Sequence, residues 1–260
     1  MLQDHHVLIF AATGAIAQGV ARAFAAQGAT LWLSGRDRRV EALAAAISDE
    51  TGVMAHCGIV DATDAAEVAA FVERAAREGG RVDAVFNGIG GTPAQLAYPR
   101  LTVEASVEDF MLPVRHILGS QFLTAREAGR VMSAQPSGGA IVTLSATLSG
   151  MTAPNMAGIT AACGAIEAMT RALAGDFGSA GVRVNCVRGS AMPETRTIQQ
   201  TFAGQAALMG DDGPATLPPL GRPITVADTA SAAVFLASPL ASGITGQVLT
   251  VCAGQFVGQG

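Results

Sequence analysis

The sequence predicts one α/β domain built on a doubly wound parallel sheet. Three observations carry that prediction. Short apolar runs alternate with longer alanine-rich stretches of helical character along the whole chain. Half of the 260 residues are hydrophobic and only 14% are charged, so a sizeable core is available and disorder is excluded. No composition break marks a second domain, and this length suits a single large one. Strict alternation of strand and helix implies parallel strands, right-handed crossovers and helices on both faces.

The elements follow in order. Residues 5–12 (HHVLIFAA) read as a first strand and 16–27 as a helix stopped by Gly28. Residues 30–34 (TLWLS) form a second strand, 38–48 a second helix and 53–57 a third strand. Asp64 caps a helix reaching about residue 78, because its carboxylate accepts from the free N–H groups of the first turn. Residues 84–87 are a fourth strand. Ser106 and Asp109 have capping-box spacing for a long helix to about residue 134, with Pro113 one turn inside as a source of a kink. A fifth strand over 140–144 (AIVTL), a helix over 155–178 and a sixth strand over 183–187 come next. The stretch 192–223 reads as irregular and proline-rich, an insertion over a site. Thr225 and Asp228 again have capping-box spacing, for a helix ending near Ser238, and 247–251 is a seventh strand.

Charge and composition exclude several function classes. Net charge is −5 and the isoelectric point is about 5.3, so nucleic acid and anionic membranes are not expected partners. The cluster Arg36, Arg38, Arg39 is the one local exception. All sixteen basic residues of the Lys+Arg count are arginine, which removes Schiff-base chemistry and any lysine-assisted acid or base. Cys57, Cys163, Cys186 and Cys252 are widely spaced and read as buried free thiols of a reducing cytoplasm, and no ligand set for a metal is present. No apolar run reaches the ~18 residues of a membrane span, and the N-terminus lacks a basic signal-peptide start.

Ligands of such sheets bind beyond the C-terminal ends of the strands, where the strand order reverses. The first strand is followed by Phe10-Ala11-Ala12-Thr13-Gly14-Ala15-Ile16-Ala17, small throughout, as a pyrophosphate at a helix N-terminus requires. Gly35-Arg36 follows the second strand. An acidic residue there would hold a ribose 2′-hydroxyl, whereas an arginine accommodates a 2′-phosphate, so NADP(H) is favoured over NAD(H). The alternative for Arg36 is a solvated helix start.

At this point the chain resembles the short-chain dehydrogenases/reductases from end to end. Asp61-Ala62-Thr63-Asp64 is similar to the family's D-x-T-D, and Asn87-Gly88-Ile89-Gly90 to its N-N-A-G. Gly181-Val182-Arg183-Val184-Asn185 resembles G-I-R-V-N; Leu220-Gly221-Arg222, Phe235-Leu236-Ala237-Ser238 and Ile244-Thr245-Gly246-Gln247 resemble P-L-G-R, F-L-A-S and I-T-G-Q. The resemblance implies a Rossmann-like seven-stranded sheet in the order 3-2-1-4-5-6-7. It also implies a tetramer built on the fourth and fifth helices (the 106–134 and 155–178 segments). It places NADP(H) on Thr13, Gly14, Ile16, Arg36, Asp61 and Asn87.

The departures are as informative. The family's glycine loop T-G-x-x-x-G-x-G falls on 10–17, where Ala11, Ala15 and Ala17 replace all three glycines, so weaker or re-posed cofactor binding is expected. The proline-glycine pair after the sixth strand is replaced by Gly189-Ser190. The family's catalytic Asn, Ser, Tyr and Lys fall on Ile117, Ala146, Ile159 and Cys163. A phenol with a pKa near 10 needs the lysine to approach working pH, and losing general acid catalysis typically removes ~10²–10⁴ in rate. His116, beside the asparagine position, is the best remaining acid or base. Ser145, Thr147 and Ser149 read as polar liners after the fifth strand, and Tyr98 reads as a loop aromatic over the pocket or packed on the surface.

Three functions fit these residues. One is an atypical NADP(H) oxidoreductase acting on a small molecule that needs no Tyr–Lys pair, such as a polarised C=C bond, an imine or a quinone. The second is a non-catalytic subunit, in a homo-dimer or homo-tetramer or in a hetero-oligomer with an active relative. The third is a non-redox cyclase, isomerase or lyase in the same cavity. Fold alone does not choose among them.

Overall fold

The structure, a computed structural model, describes residues 2–209 and 217–256. Seven strands form one sheet: β1 (His6–Phe10), β2 (Thr30–Gly35), β3 (Ala55–Ile59), β4 (Ala84–Asn87), β5 (Gly139–Ala146), β6 (Val182–Gly189) and β7 (Val248–Val251). Every pairing is parallel and the order is β3-β2-β1-β4-β5-β6-β7, as the alternation of elements requires. The order reverses between β1 and β4.

Strand periodicity builds the two faces. In β1, Val7 and Ile9 enter one core cluster while Leu8 and Phe10 enter the other; in β2, Leu31 and Leu33 go one way and Trp32 the other. Helices α1 (Ala15–Ala25), α2 (Arg39–Thr51) and α8 (Val226–Ala237) cover the first face. Helices α3 (Ala65–Gly79), α5 (Gly119–Ser133) and α6 (Ala157–Gly178) cover the second. The expected caps are in place. Asp64 accepts from the N–H groups of Ala66 and Glu67, and both capping boxes, Ser106 with Asp109 and Thr225 with Asp228, are complete.

Three expectations need correction. The long helix over 106–134 is not continuous. It is α4 (Val107–Pro113), a π-helical segment over Val114–Leu118, and then α5. Pro113 has no N–H and its ring crowds the carbonyl one turn back, so the hydrogen-bond ladder widens at this point. The stretch 192–223 is not irregular throughout: it contains α7 (Arg196–Met209), and 210–216 lie outside the described residues. The third, fifth and sixth strands also end later than expected. Ser145 and Ala146 belong to β5, because they pair with Arg188 and Gly189 of β6.

Two histidines flank the only tryptophan, His56 from the edge strand β3 and His6 from β1 on the other side of β2. Trp32 stacks on His56 at 4.1 Å, and its indole N–H donates to His6 Nδ1 at 3.3 Å. Burial holds both imidazoles below their ordinary value. A lowered folded-state pKa means that below pH ~6.5 the unfolded chain binds protons the folded chain refuses, so stability holds above that pH and falls progressively beneath it. Urea melts followed by Trp32 emission at pH 7.5 and 5.5 are expected to show the loss, and His56→Gln to remove part of it. An unchanged pH slope in that variant rules His56 out as a source.

Candidate cofactor cleft and active site

A cleft of about 770 Å3 opens where the strand order reverses, above the C-terminal ends of β1 and β4. Thr13, Gly14 and Ile16 line it from the β1–α1 turn, Arg36 from the end of β2, Asp61 from the loop after β3, and His116 from the π segment. Six residues singled out in the sequence therefore share one wall. Arg22, Arg39 and Arg196 line it too. The sequence reading did not place them there, although it named Arg39 in the basic cluster after the second strand. Ala15, Gln18 and Arg22 fall on one helical face, a 3.6-residue signal that was available. Arg196 was hidden because α7 was not foreseen.

The glycine-poor turn is built differently from a glycine loop. Ala11 takes φ +53°, a left-handed conformation that costs an L-residue about 1–2 kcal/mol. Its carbonyl accepts from the Gly14 N–H at 3.0 Å, and the Ala12 N–H donates to Ser34 O at 2.7 Å. Gly14 is the N-cap of α1 and provides no side-chain cap, leaving the first-turn N–H groups for an anion. The methyl group of Ala17, buried beneath the cleft, is accommodated by the residue that follows β4. A Cβ on Gly88 would lie 2.7 Å from the Ala17 Cβ, so the glycine missing from the helix is present on the facing strand end.

The electrostatics favour an anionic ligand. Arginines are four of the charged groups lining the cleft, and Asp61 is the carboxylate among them. Arg39 is engaged by Asp37, whose carboxyl is held down to about 2 by that arginine, and Arg22 by Glu50 at 2.8 Å. Arg36 makes no hydrogen bond or ion pair among the described residues. Thr63 donates to Asp61 Oδ1 from its N–H at 2.9 Å and its hydroxyl at 2.7 Å, which holds the carboxyl below its usual range and keeps it an acceptor.

Asn87, Ser145 and Thr147 do not line the cleft. Asn87 is buried and fastens the loop after β4: it donates to Thr124 Oγ1 at 2.7 Å and accepts from the Ile89 N–H at 2.8 Å. Ser145 faces away because it is a strand residue, and its hydroxyl donates to Glu167 Oε1 at 2.9 Å. Ser149 donates to the same oxygen at 2.6 Å, and Arg188 Nη1 lies 3.3 Å from Oε2. Thr147 is buried at the end of β5. Of the positions aligned with the family's tetrad, Ile117 is buried in an apolar cluster with Leu96, Ile166 and Cys186, and the partly buried Ile159 packs against that cluster. Cys163 is buried and its thiol is pushed up by burial, so it is no nucleophile.

Fold and cleft together define a Rossmann-like α/β protein with an open cleft at the point where the strand order reverses. The sequence model of the family described as Enoyl-(Acyl carrier protein) reductase matches residues 11–255. The chain belongs to the short-chain dehydrogenase/reductase family of oxidoreductases. D-threitol dehydrogenase of Mycolicibacterium smegmatis is 32% identical over 254 residues, covering 96% of this chain and 92% of that protein. Enoyl-acyl-carrier-protein reductase (NADH) 2 of Rhizobium meliloti is 31% identical over 243 residues, covering 92% and 86%. Among solved structures, a 7α-hydroxysteroid dehydrogenase complexed with NADH and 7-oxo glycochenodeoxycholic acid superimposes with a TM-score of 0.83 at 26% identity, covering 97% of this chain and 94% of that one. Among the described residues no helix is long and apolar enough to cross a membrane.

Proposed function

We propose that this chain binds NADP(H) and is an oxidoreductase for a small molecule whose reduction needs no tyrosine–lysine acid. The observation that carries the reading is the open cleft with Arg36 on its lining, beside the carboxylate of Asp61 and without a hydrogen bond or ion pair among the described residues. The residues present fit the cofactor. Gly88 makes room for Ala17, and Gly35 keeps the turn open, since a Cβ there would lie 3.1 Å from Val40 and 3.2 Å from Thr13. The α1 N-terminus would hold the pyrophosphate, Asp61 the adenine and Arg36 the 2′-phosphate. When bound, the cofactor supplies or accepts a hydride. This chain's own part is to bind, orient and exclude water. His116 is the titratable group on the cleft wall nearest the old centre in sequence, beside Ile117.

Polarised C=C bonds, imines and quinones suit such a site, because their reduction spreads charge over several atoms and relies less on a strong local acid. The name of the matching family and that of the Rhizobium meliloti relative both specify enoyl reduction. The test is a titration of NADPH and NADH by fluorescence. Arg36→Ala is expected to weaken NADPH about 10–100-fold, the value of a charge-assisted hydrogen bond, and to leave NADH nearly unchanged. Equal loss for both assigns Arg36 another task.

A second reading, a non-catalytic subunit supporting an active relative, is favoured by the apolar filling at Ile117 and Ile159 and by the exposed Val107, Phe110 and Phe122 on α4 and α5. Tight NADPH binding without turnover of any enone, imine or quinone in a broad panel selects it.

A further inference from the structure

Arg196 opens α7 and lines the cofactor cleft together with its neighbours Thr195 and Thr197. A tied turn fixes its place. Thr195 donates to Met192 O from its N–H at 2.9 Å and from its hydroxyl at 2.8 Å, and Gln199 Nε2 donates to Pro193 O at 3.0 Å. Glu194 Oε1 accepts from the Val226 N–H at 2.6 Å, which fastens the turn to the start of α8. The same turn is seated against α1. Ile16 and Val226 both pack on the cluster of Met192, Ile224 and Ala253, and a Cβ on Gly19 would run into the Val226 side chain. The exposed Arg196 therefore stands on the cleft wall beside the first turns of α1.

Nothing in α7 itself calls for arginine at this place. A cation in the first turn of a helix opposes the macrodipole, and α7 has no acidic residue there to offset it. The start of α1, by contrast, has use for a cation. Gly14 caps it without a side chain, and Ala15 and Ala17 stand where glycines would let backbone approach a pyrophosphate closely. A guanidinium needs no such approach, because a long side chain carries its planar fork of donors to the phosphate oxygens. Two other arginines of the cleft are already engaged, Arg22 by Glu50 and Arg39 by Asp37.

We propose that Arg196 clamps the cofactor's pyrophosphate from the α7 side and supplies the attraction that the alanine-substituted β1–α1 turn lacks. The proposal deepens the cofactor reading and rests on it. It divides the phosphates between two arginines: Arg36 selects the 2′-phosphate of NADP(H), whereas Arg196 serves NADP(H) and NAD(H) alike. Arg196 is a positioning residue, and it takes no part in hydride or proton transfer.

Titrations of NADPH, NADH, ADP-ribose and adenosine 2′-phosphate, read by calorimetry, test the clamp. ADP-ribose keeps the pyrophosphate without the nicotinamide, and adenosine 2′-phosphate has no pyrophosphate. Arg196→Gln is expected to weaken the first three about tenfold or more and to leave adenosine 2′-phosphate unchanged, which also shows that the variant is folded. Arg196→Lys keeps the charge and is expected to hold ADP-ribose within about threefold of the unmodified chain. Arg36→Ala is expected to weaken NADPH and adenosine 2′-phosphate while sparing ADP-ribose. Unchanged ADP-ribose binding in Arg196→Gln overturns the proposal even where NADPH weakens, because the guanidinium then acts at the nicotinamide end. Equal loss of all four ligands overturns it too, as a defect of the fold. The two readings fail separately: if the unmodified chain binds neither NADPH nor ADP-ribose, the cofactor reading falls and takes the clamp with it, whereas if it binds both and Arg196→Gln binds them as well, the clamp alone falls.

Discussion

Unmodified protein supplied with NADPH and simple ketones is expected to show little or no turnover. Replacing Ala146 by Ser, Ile159 by Tyr and Cys163 by Lys together is expected to raise ketone reduction by about 10²–10⁴-fold, the usual contribution of a positioned general acid. The physical basis is the state of those positions. Ile159 packs in an apolar cluster with Leu96 and Ile117 and has no proton to give. Cys163 is a buried neutral thiol and carries no charge to lower a phenol pKa. Ala146 ends β5 without a hydroxyl. A lysine at 163 would stand one helical turn before Glu167, so its charge enters a region that already holds a carboxylate. Steady-state NADPH oxidation with a ketone panel checks both halves. A robust ketone reductase in the unmodified chain would assign the acid to His116 or Tyr98.

Arg188→Met is expected to be the most destabilising single change away from the hydrophobic core. Glu167 accepts from Ser145 and Ser149 through one oxygen and faces Arg188 through the other, and Arg188 Nε donates to Thr250 Oγ1 at 2.9 Å. The side chains of Arg188 and Glu167 are 16% and 11% exposed, so the pair is shielded from solvent. Removing one partner of a buried pair leaves an uncompensated charge and costs about 3–5 kcal/mol. For a chain of this size that is a fall of roughly 10 °C in Tm. Adding Glu167→Gln to the same variant is expected to recover most of the loss, because no unpaired charge then stays buried. Thermal melts of the single and double variants decide it. A single-variant loss under ~1 kcal/mol would mean that water screens the pair as it does a surface one.

Much of the architecture was legible because its causes are local. Strand and helix alternation, the Asp64 cap and both capping boxes each lie within a few residues, and all stand in the structure. So did the cleft-facing Thr13, Gly14, Ile16, Arg36 and Asp61, because a strand end in a parallel sheet points to one place. Ser145 shows the limit. The run AIVTL marks a strand, but only pairing with β6 carries it to Ala146 and turns the Ser145 hydroxyl away from the cleft towards Glu167. The π segment is a second case. Pro113 announces a break, while the close approach of α6 at Gly158, where a Cβ would meet Phe110 O at 2.5 Å, belongs to the packing around it.

The amino-acid sequence by itself determined the order of elements, the arginine after β2 and the absence of any lysine, because composition and short-range pattern need no partner in space. Only the tertiary structure decided that Ala17 is matched by Gly88, that Ile159 packs against a cluster holding Ile117 and Leu96, and that Tyr98 is buried. Each of these is a meeting of side chains far apart in the chain. Close packing of the interior sets which of them touch, and no local pattern encodes that choice.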